Sequence, residues 1–355
     1  MQPRDLSTHS VYRAGRGIEE VARELDVDPD ELVKLSSNEN PLGPSPAAVE
    51  AIQQHASHSH TYPKSSHTDL IDAIAREWDV SPSQVWLANG GDGALDYLAR
   101  AFLEPDDRVL VPQPGFAYYP MSARYHHGTV GTYQLDKADD FEQTATTVLE
   151  SYDGERIVYV TSPHNPTGRE LPRAELLALA DQTDDSTLIL IDEAYAEFSE
   201  TDSAVDLVDQ RDDIAVLRTF SKAYGLAGVR LGYLLAPPTW ADAYERVTTP
   251  FAASELACRA GLAALEDDAH LDNTIELVRW AREYMHDRLQ PPTWPSGGNF
   301  VLTAVDDAQA VAHASKEHGV IVRDCTSFGL SDCIRISCGT REATKRAVDV
   351  INDIV

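Results

Sequence analysis

Lys222 follows an apolar run, residues 214–219, and stands 30 residues after Asp192, which closes another such run at 187–191. An amine between a buried strand and a glycine-rich segment is a candidate Schiff-base nucleophile, because partial burial lowers its pKa and exposes the lone pair. The plain alternative is a solvated surface lysine. A carboxylate at a strand end either holds a fixed cation or caps the next helix. Eight residues past the lysine, Arg230 lies within GLAGVRLG (225–232). Glycines there permit close backbone approach, and an arginine suits a phosphate.

Three further segments stand at comparable places. SPHNPTG (162–168) is a turn signature; its Asn165 either donates to a ligand oxygen or closes an Asx turn. NGGDG (89–93) runs into a helical pattern, so the amides of Gly91 and Asp92 are expected to be free to bind phosphate. It is neither a P-loop nor a dinucleotide fingerprint. In PGFAYY (114–119) a ring such as Phe116 stacks on a planar ligand or packs in the core. Together these supply an amine, a carboxylate, an amide, an aromatic face and a phosphate cup. That set matches the needs of pyridoxal 5′-phosphate. Its aldehyde needs Lys222, and its ring nitrogen needs Asp192 to stay protonated and draw electrons. Its ring oxygen needs donors such as Asn165 and Tyr195. Its phosphate needs a helix N-terminus with Arg230 and the Ser221 hydroxyl.

The elements that must position these residues alternate along the chain. Short β-rich runs at 84–88, 108–111, 156–161, 187–191 and 214–219 are interleaved with helical patterns at 91–102 and 171–181. Such alternation predicts an α/β fold with a doubly wound, mostly parallel sheet, and ligands at the carboxyl ends of its strands. After residue 251 the texture changes. Helical patterns at 254–265 and 273–289 precede strands at 299–303, 320–323 and 333–337, with helices near 308–318 and from 341 onward. That predicts a smaller α+β domain. The expected division is an N-terminal arm (1–34) joining the small domain or a dimer partner, a large domain (35–250) and a small domain (251–355).

Composition narrows the partners. The 355 residues carry 58 Asp+Glu against 29 Lys+Arg, a formal charge of −29. Nucleic acid and anionic lipid are disfavoured, because both demand a basic face. Apolar runs are far too short to span a bilayer, and the first 16 residues lack the apolar core of a secretory signal. A cytoplasmic location is expected. Only six of the basic residues are lysines. Lysine-poor, aspartate-rich surfaces look like those of proteins from salt-loving microbes, where salt screens like-charge repulsion. The four cysteines form no Cys-x-x-Cys pair, so free thiols are expected rather than a disulfide frame or zinc site. His55, His58, His60 and His67 surround Tyr62, but their spacing fits no metal pair; a solvated loop near a dimer interface is expected.

KLSSNENPLGPSP (34–46), TYPKSS (61–66), PHNPTG (163–168), DEAYAEF (192–198), FSKAYGLAGVRLGY (220–233), GGNF (297–300) and VRDCTSFGLSDCIRISCGTRE (322–342) occur in an order that, across the whole chain, resembles the fold-type I aminotransferases. More narrowly, NENP and the closing arginine segment resemble the histidinol-phosphate aminotransferases. The resemblance implies that Lys222 binds the cofactor covalently and shuttles a proton. Asp192 would pair with the ring nitrogen, Asn165 and Tyr195 with the ring oxygen, and Phe116 with the ring face. Gly91, Asp92, Ser221 and Arg230 would hold the phosphate. Tyr62 would reach the neighbouring subunit's cofactor, which implies a homodimer. Arg335 would clamp the α-carboxylate of glutamate or 2-oxoglutarate; Tyr12 and Arg323 would contact the phosphate of histidinol phosphate. Gly93 and His164 depart from the common pattern (Glu and Asn) without expected cost.

The expected reaction is reversible transamination between L-histidinol phosphate and 2-oxoglutarate, giving imidazole acetol phosphate and glutamate. An aromatic amino-acid aminotransferase or a threonine-phosphate decarboxylase would share most motifs; Tyr12, Arg323 and Arg335 discriminate against them. A non-catalytic homologue conflicts with intact Lys222, Asp192 and Arg230. A −29 chain that binds phosphorylated molecules needs a locally electropositive pocket.

Overall fold

The protein, as a computed structural model, is described at Met1, Leu6, Ser7, His9, Val11 and residues 17–355. Along the described chain run β1 (Val33–Leu35), β2 (Val85–Ala88), β3 (Arg108–Gln113), β4 (Thr129–Gln134), β5 (Ile157–Thr161) and β6 (Leu188–Asp192). They continue as β7 (Ile214–Thr219), β8 (Gly232–Leu235), β9 (Phe300–Ala304), β10 (Val320–Asp324) and β11 (Cys333–Ser337). Seven form one sheet in the order β2-β8-β7-β6-β5-β3-β4. Every pairing among β7, β6, β5, β3 and β4 is parallel; β8 runs antiparallel to both β7 and β2. The carboxyl ends of β2, β3, β5, β6 and β7 therefore share one edge.

Both faces of this sheet are buried, as near-continuous apolar strands require. In β5, Val158 and Val160 pack with Leu176 and Leu179 of the helix Arg173–Ala180. Ile157 and Tyr159 face the other way, toward Leu95 and Leu98 of the helix Gly90–Phe102. Residues 188–191 of β6 divide between the same two clusters by alternation.

A second sheet has the order β1-β10-β11-β9. Its core joins Leu35, Val322, Val301 and Ile334 to Val278, Ala281 and Met285 of the helix Asp268–Arg288. That helix begins five residues before the expected 273, because Asp267 caps it by accepting from the His270 amide. The helix Glu255–Leu265 instead buries Ala257, Ala260 and Ala264 in the large sheet's cluster, with Ala48, Leu70 and Ile74. All four cysteines are free and buried. No helix among the described residues is long and apolar enough to cross a membrane.

The histidine loop departs from expectation. His55 ends the helix Pro46–His55, and His67 is buried, with Nε2 3.2 Å from the Ala253 carbonyl oxygen. Of the four, His58 and His60 are exposed. Helix packing against the segment 251–255 draws His67 inward, which sequence spacing does not reveal.

Candidate active site

The shared strand edge opens into a cavity of about 220 Å³. Its wall includes Gly91 and Asp92 from the first turn of the helix after β2, and Phe116 from the loop after β3. Asn165 enters after β5, Asp192 closes β6 with Tyr195 three residues on, and Ser221, Lys222 and Arg230 come after β7. Nine of the expected cofactor residues are thus brought together by one sheet edge. Tyr62 is not among the residues lining this cavity; its side chain is 83% exposed and stacks on Phe251 with ring centroids 4.9 Å apart. Tyr12 lies outside the described residues.

Asp192 is buried in register beside Thr161 of β5. Its carboxylate accepts from the Tyr119 hydroxyl at 2.6 Å and from the Ala194 amide at 3.0 Å. Burial pushes its pKa up to about 6, against those two hydrogen bonds. Among the described residues no cation forms an ion pair with it. A protonated ring nitrogen would supply the missing positive charge. Tyr119 escaped the sequence reading, which singled out Phe116 in the same segment. Tyr119 also meets Thr161 Oγ1 at 2.8 Å, and Phe116 packs edge-on against it at 5.4 Å.

The phosphate end fits equally well. The 13-residue helix Gly90–Phe102 has no side-chain cap at Asn89, so its first amides remain open toward the cavity. Gly90 has φ +74°, and a Cβ there would fall 2.5 Å from Arg230 Nη2. Only glycine lets that guanidinium lie against the loop. Arg230 also bonds Asp92 Oδ2 at 3.1 Å. Burial raises the Asp92 pKa, and Arg230 opposes the rise. The Ser221 hydroxyl makes no hydrogen bond among the described residues, which leaves it available.

Lys222 is half-buried, with Nζ 5.5 Å from the centre of the Tyr195 ring. It borders both this cavity and a second one of about 520 Å³, and Phe116, Asn165 and Tyr195 border both as well. Arg124, Arg323 and Arg335 line the second cavity, and no aspartate or glutamate is among the described residues that line it. Arg323 and Arg335 face each other directly across β10 and β11. Like charges so placed repel, so the pair is built for an anion. Arg335 donates to Asn165 Oδ1 and, at 2.9 Å, to the Ser36 carbonyl oxygen. Arg323 reaches Ser327 Oγ at 3.0 Å, while its buried Nε has no partner among the described residues. Phe328 lies near both guanidiniums, at 5.5 and 5.9 Å.

Beneath the loop after β6 lies an ion network that sequence reasoning missed. Arg218 of β7 is buried and donates to Glu193 Oε2 at 2.7 Å and Glu197 Oε1 at 2.9 Å. Its guanidinium sits 4.4 Å from the Trp78 ring centre. The two glutamates flank Tyr195, so one cation pins both shoulders of that loop. His164 is also buried; burial lowers its pKa to about 3, and Nδ1 lies 2.8 Å from Thr167 Oγ1. It is therefore a neutral brace of the Asn165 turn.

The family profile described as aminotransferase class I and II matches residues 30–351. This chain belongs to the class I and II aminotransferases. Among curated relatives, the histidinol-phosphate aminotransferase of Natronomonas pharaonis is 67% identical over 355 residues, covering 100% of both chains. That of Haloarcula marismortui is 64% identical, covering 100% of this chain and 99% of the relative. Among solved structures, histidinol-phosphate aminotransferase from Sinorhizobium meliloti, in complex with pyridoxal-5′-phosphate, superposes with TM-score 0.87. It is 26% identical and covers 96% of this chain and 95% of its own. A double mutant of Thermus thermophilus aspartate aminotransferase, 23% identical, shares the fold with TM-score 0.84 over 100% of both chains. The aminotransferase fold thus places the cavity where the expected residues converge.

Proposed function

We propose that this aminotransferase works with pyridoxal 5′-phosphate and exchanges amino and oxo groups between L-histidinol phosphate and 2-oxoglutarate in histidine biosynthesis. The observation that carries the substrate is the second cavity: in a chain of net charge −29, its described lining holds four cations and no carboxylate. The full-length curated relatives bearing that name support the same reading.

When bound, the cofactor supplies an electron sink for the substrate's Cα–H bond. Lys222, at the junction of the two cavities, is the group that holds it covalently and then carries the proton. Asp192 keeps the ring nitrogen protonated, and Tyr119 and Ala194 hold that carboxylate in place. Asn165 and Tyr195 donate to the ring oxygen. The amides of Gly91 and Asp92, with Ser221 and Arg230, take the phosphate, and Phe116 covers the ring. Arg335 receives the α-carboxylate of glutamate or 2-oxoglutarate as a bidentate partner. Arg323, with Ser327 beside it and Tyr12 from the N-terminal segment, receives the phosphate of histidinol phosphate.

We further propose a homodimer in which the exposed Tyr62 of one protomer completes the site of the other. The division into an arm (1–34), a large domain (35–250) and a small domain (251–355) is part of the same proposal; β1 and the helix Glu255–Leu265 carry contacts across it. Free buried cysteines support a cytoplasmic setting, and the acidic, lysine-poor composition supports work at high salt.

The decisive experiment offers purified holoenzyme histidinol phosphate, histidinol and phenylalanine in turn, with 2-oxoglutarate as acceptor. Glutamate should form fastest from histidinol phosphate. Preference for phenylalanine or the dephosphorylated amine would transfer the assignment to an aromatic aminotransferase.

A further inference from the structure

Asn38 is 1% exposed and has a left-handed backbone, φ +52°. Its carbonyl oxygen accepts from Asn299 Nδ2 at 3.0 Å. Its own amide N–H donates to Ser337 Oγ at 2.9 Å, and Ser337 Oγ donates back to Asn38 Oδ1 at 2.8 Å. Asn38 Nδ2 then donates to the Tyr195 hydroxyl at 3.1 Å.

The direction of every proton in this chain follows. Ser337 has one hydroxyl proton and already accepts from the Asn38 backbone. That proton goes to Asn38 Oδ1, which fixes the amide with its oxygen toward Ser337 and its NH₂ toward Tyr195. The opposite orientation would leave the seryl proton with no acceptor in the cluster. Tyr195 is therefore an acceptor on this side. Its own proton has no acceptor among the described residues, and Tyr195 borders both cavities.

We propose that Asn38 is a positioning residue that orients the Tyr195 hydroxyl proton into the cofactor cavity, with Ser337 setting the orientation of Asn38. The inference rests on the cofactor reading above. A donor on the ring oxygen stabilises its deprotonated form and lowers the pH at which the lysine-bound cofactor loses its proton. Asn38→Asp turns the donor into an acceptor, so Tyr195 spends its proton on the new carboxylate. Asn38→Gly deletes the side chain and tolerates the left-handed backbone.

The test is a pH titration of the visible absorbance of holoenzyme, for the parent, Tyr195→Phe, Asn38→Asp, Asn38→Gly and Ser337→Ala. Asn38→Asp should raise the midpoint by about one pH unit, in the direction of Tyr195→Phe. Asn38→Gly and Ser337→Ala should give smaller rises. Tyr195→Phe combined with Asn38→Asp should shift no further than Tyr195→Phe alone, since both act on one hydrogen bond. Midpoints at the parental value in Asn38→Asp and Asn38→Gly, with Tyr195→Phe displaced, overturn the proposal. So does a Tyr195→Phe midpoint equal to the parent's. Should Asn38→Asp fail to fold, Asn38→Gly and Ser337→Ala carry the same decision. A parent that shows no visible absorbance with pyridoxal 5′-phosphate overturns the cofactor reading itself, a different result from an unmoved midpoint.

Discussion

Arg323 and Arg335 occupy matched places on neighbouring strands yet differ in surroundings. Arg335 is buried and is bonded to Asn165 and Ser36, whereas Arg323 is half-buried and meets a lone serine hydroxyl. The better-anchored guanidinium suits the α-carboxylate proposed for glutamate or 2-oxoglutarate; the looser one suits the phosphate that histidinol phosphate carries where an amino acid has a carboxylate. Arg323→Leu should lower kcat/KM for histidinol phosphate by roughly 10- to 100-fold, the worth of one charge-assisted hydrogen bond. The rate with histidinol should change far less; equal losses for both amines would remove Arg323 from phosphate recognition. Asp192 makes a second, pH-dependent prediction. Its folded pKa of about 6 lies above the ordinary 3.8. Between those values the folded, cofactor-free chain binds more protons than the unfolded chain. The stability this group contributes is present below 3.8 and lost as pH rises through 6, a change on the order of 3 kcal/mol. In denaturant melts of cofactor-free protein, Asp192→Asn should therefore lack that decline. Parallel stability profiles for parent and variant across the window would contradict the assignment.

The loop after β6 shows how an element is held in readiness. Arg218 binds the glutamates on both sides of Tyr195, and Ser203 and the Ala204 amide complete Glu193. Arg218→Met leaves two buried carboxylates without a cation, at a cost of about 3–5 kcal/mol. Adding Glu193→Gln and Glu197→Gln should recover most of it, measured by urea midpoints. If the single variant is as stable as the parent, the network has no part in fixing the loop. The sequence revealed the strands with continuous apolar runs: residues 214–219 and 333–337 were read at their observed bounds. β8 was missed because Gly232 and its neighbours were read as part of a phosphate-binding motif. The edge strand β4 was missed because Thr129, Thr132 and Gln134 dilute its apolar signal. Site residues on loops after recognisable strands were legible, because strand ends of a parallel sheet gather at one edge. Tyr119, Arg218 and Asn38 were not, because each acts through a partner 73, 25 or 157 residues away.

At the scale of the whole molecule, charge and assembly meet at the same place. A net charge of −29 disfavours the approach of phosphorylated ligands, and the second cavity, whose described lining holds four cations and no carboxylate, gathers positive charge against it. The proposed sharing of sites can be tested by mixing inactive protomers. Lys222→Ala and Tyr62→Ala chains, unfolded together and refolded, should regain activity that neither has alone, because one site of the mixed pair is intact. Activity no greater than the sum of the separate preparations would make each protomer self-sufficient.

β1, near the start of the chain, lies against β10, some 290 residues later. During synthesis the first strand must wait, unpaired, while the ribosome delivers almost everything else. A polypeptide halted just short of residue 320 already contains every described residue that lines the smaller cavity at Lys222, but it lacks the Arg323 and Arg335 of the larger one. The cavity proposed for the cofactor and the cation-rich one beside it are thus built from different stretches of sequence, and only the second draws on β10 and β11.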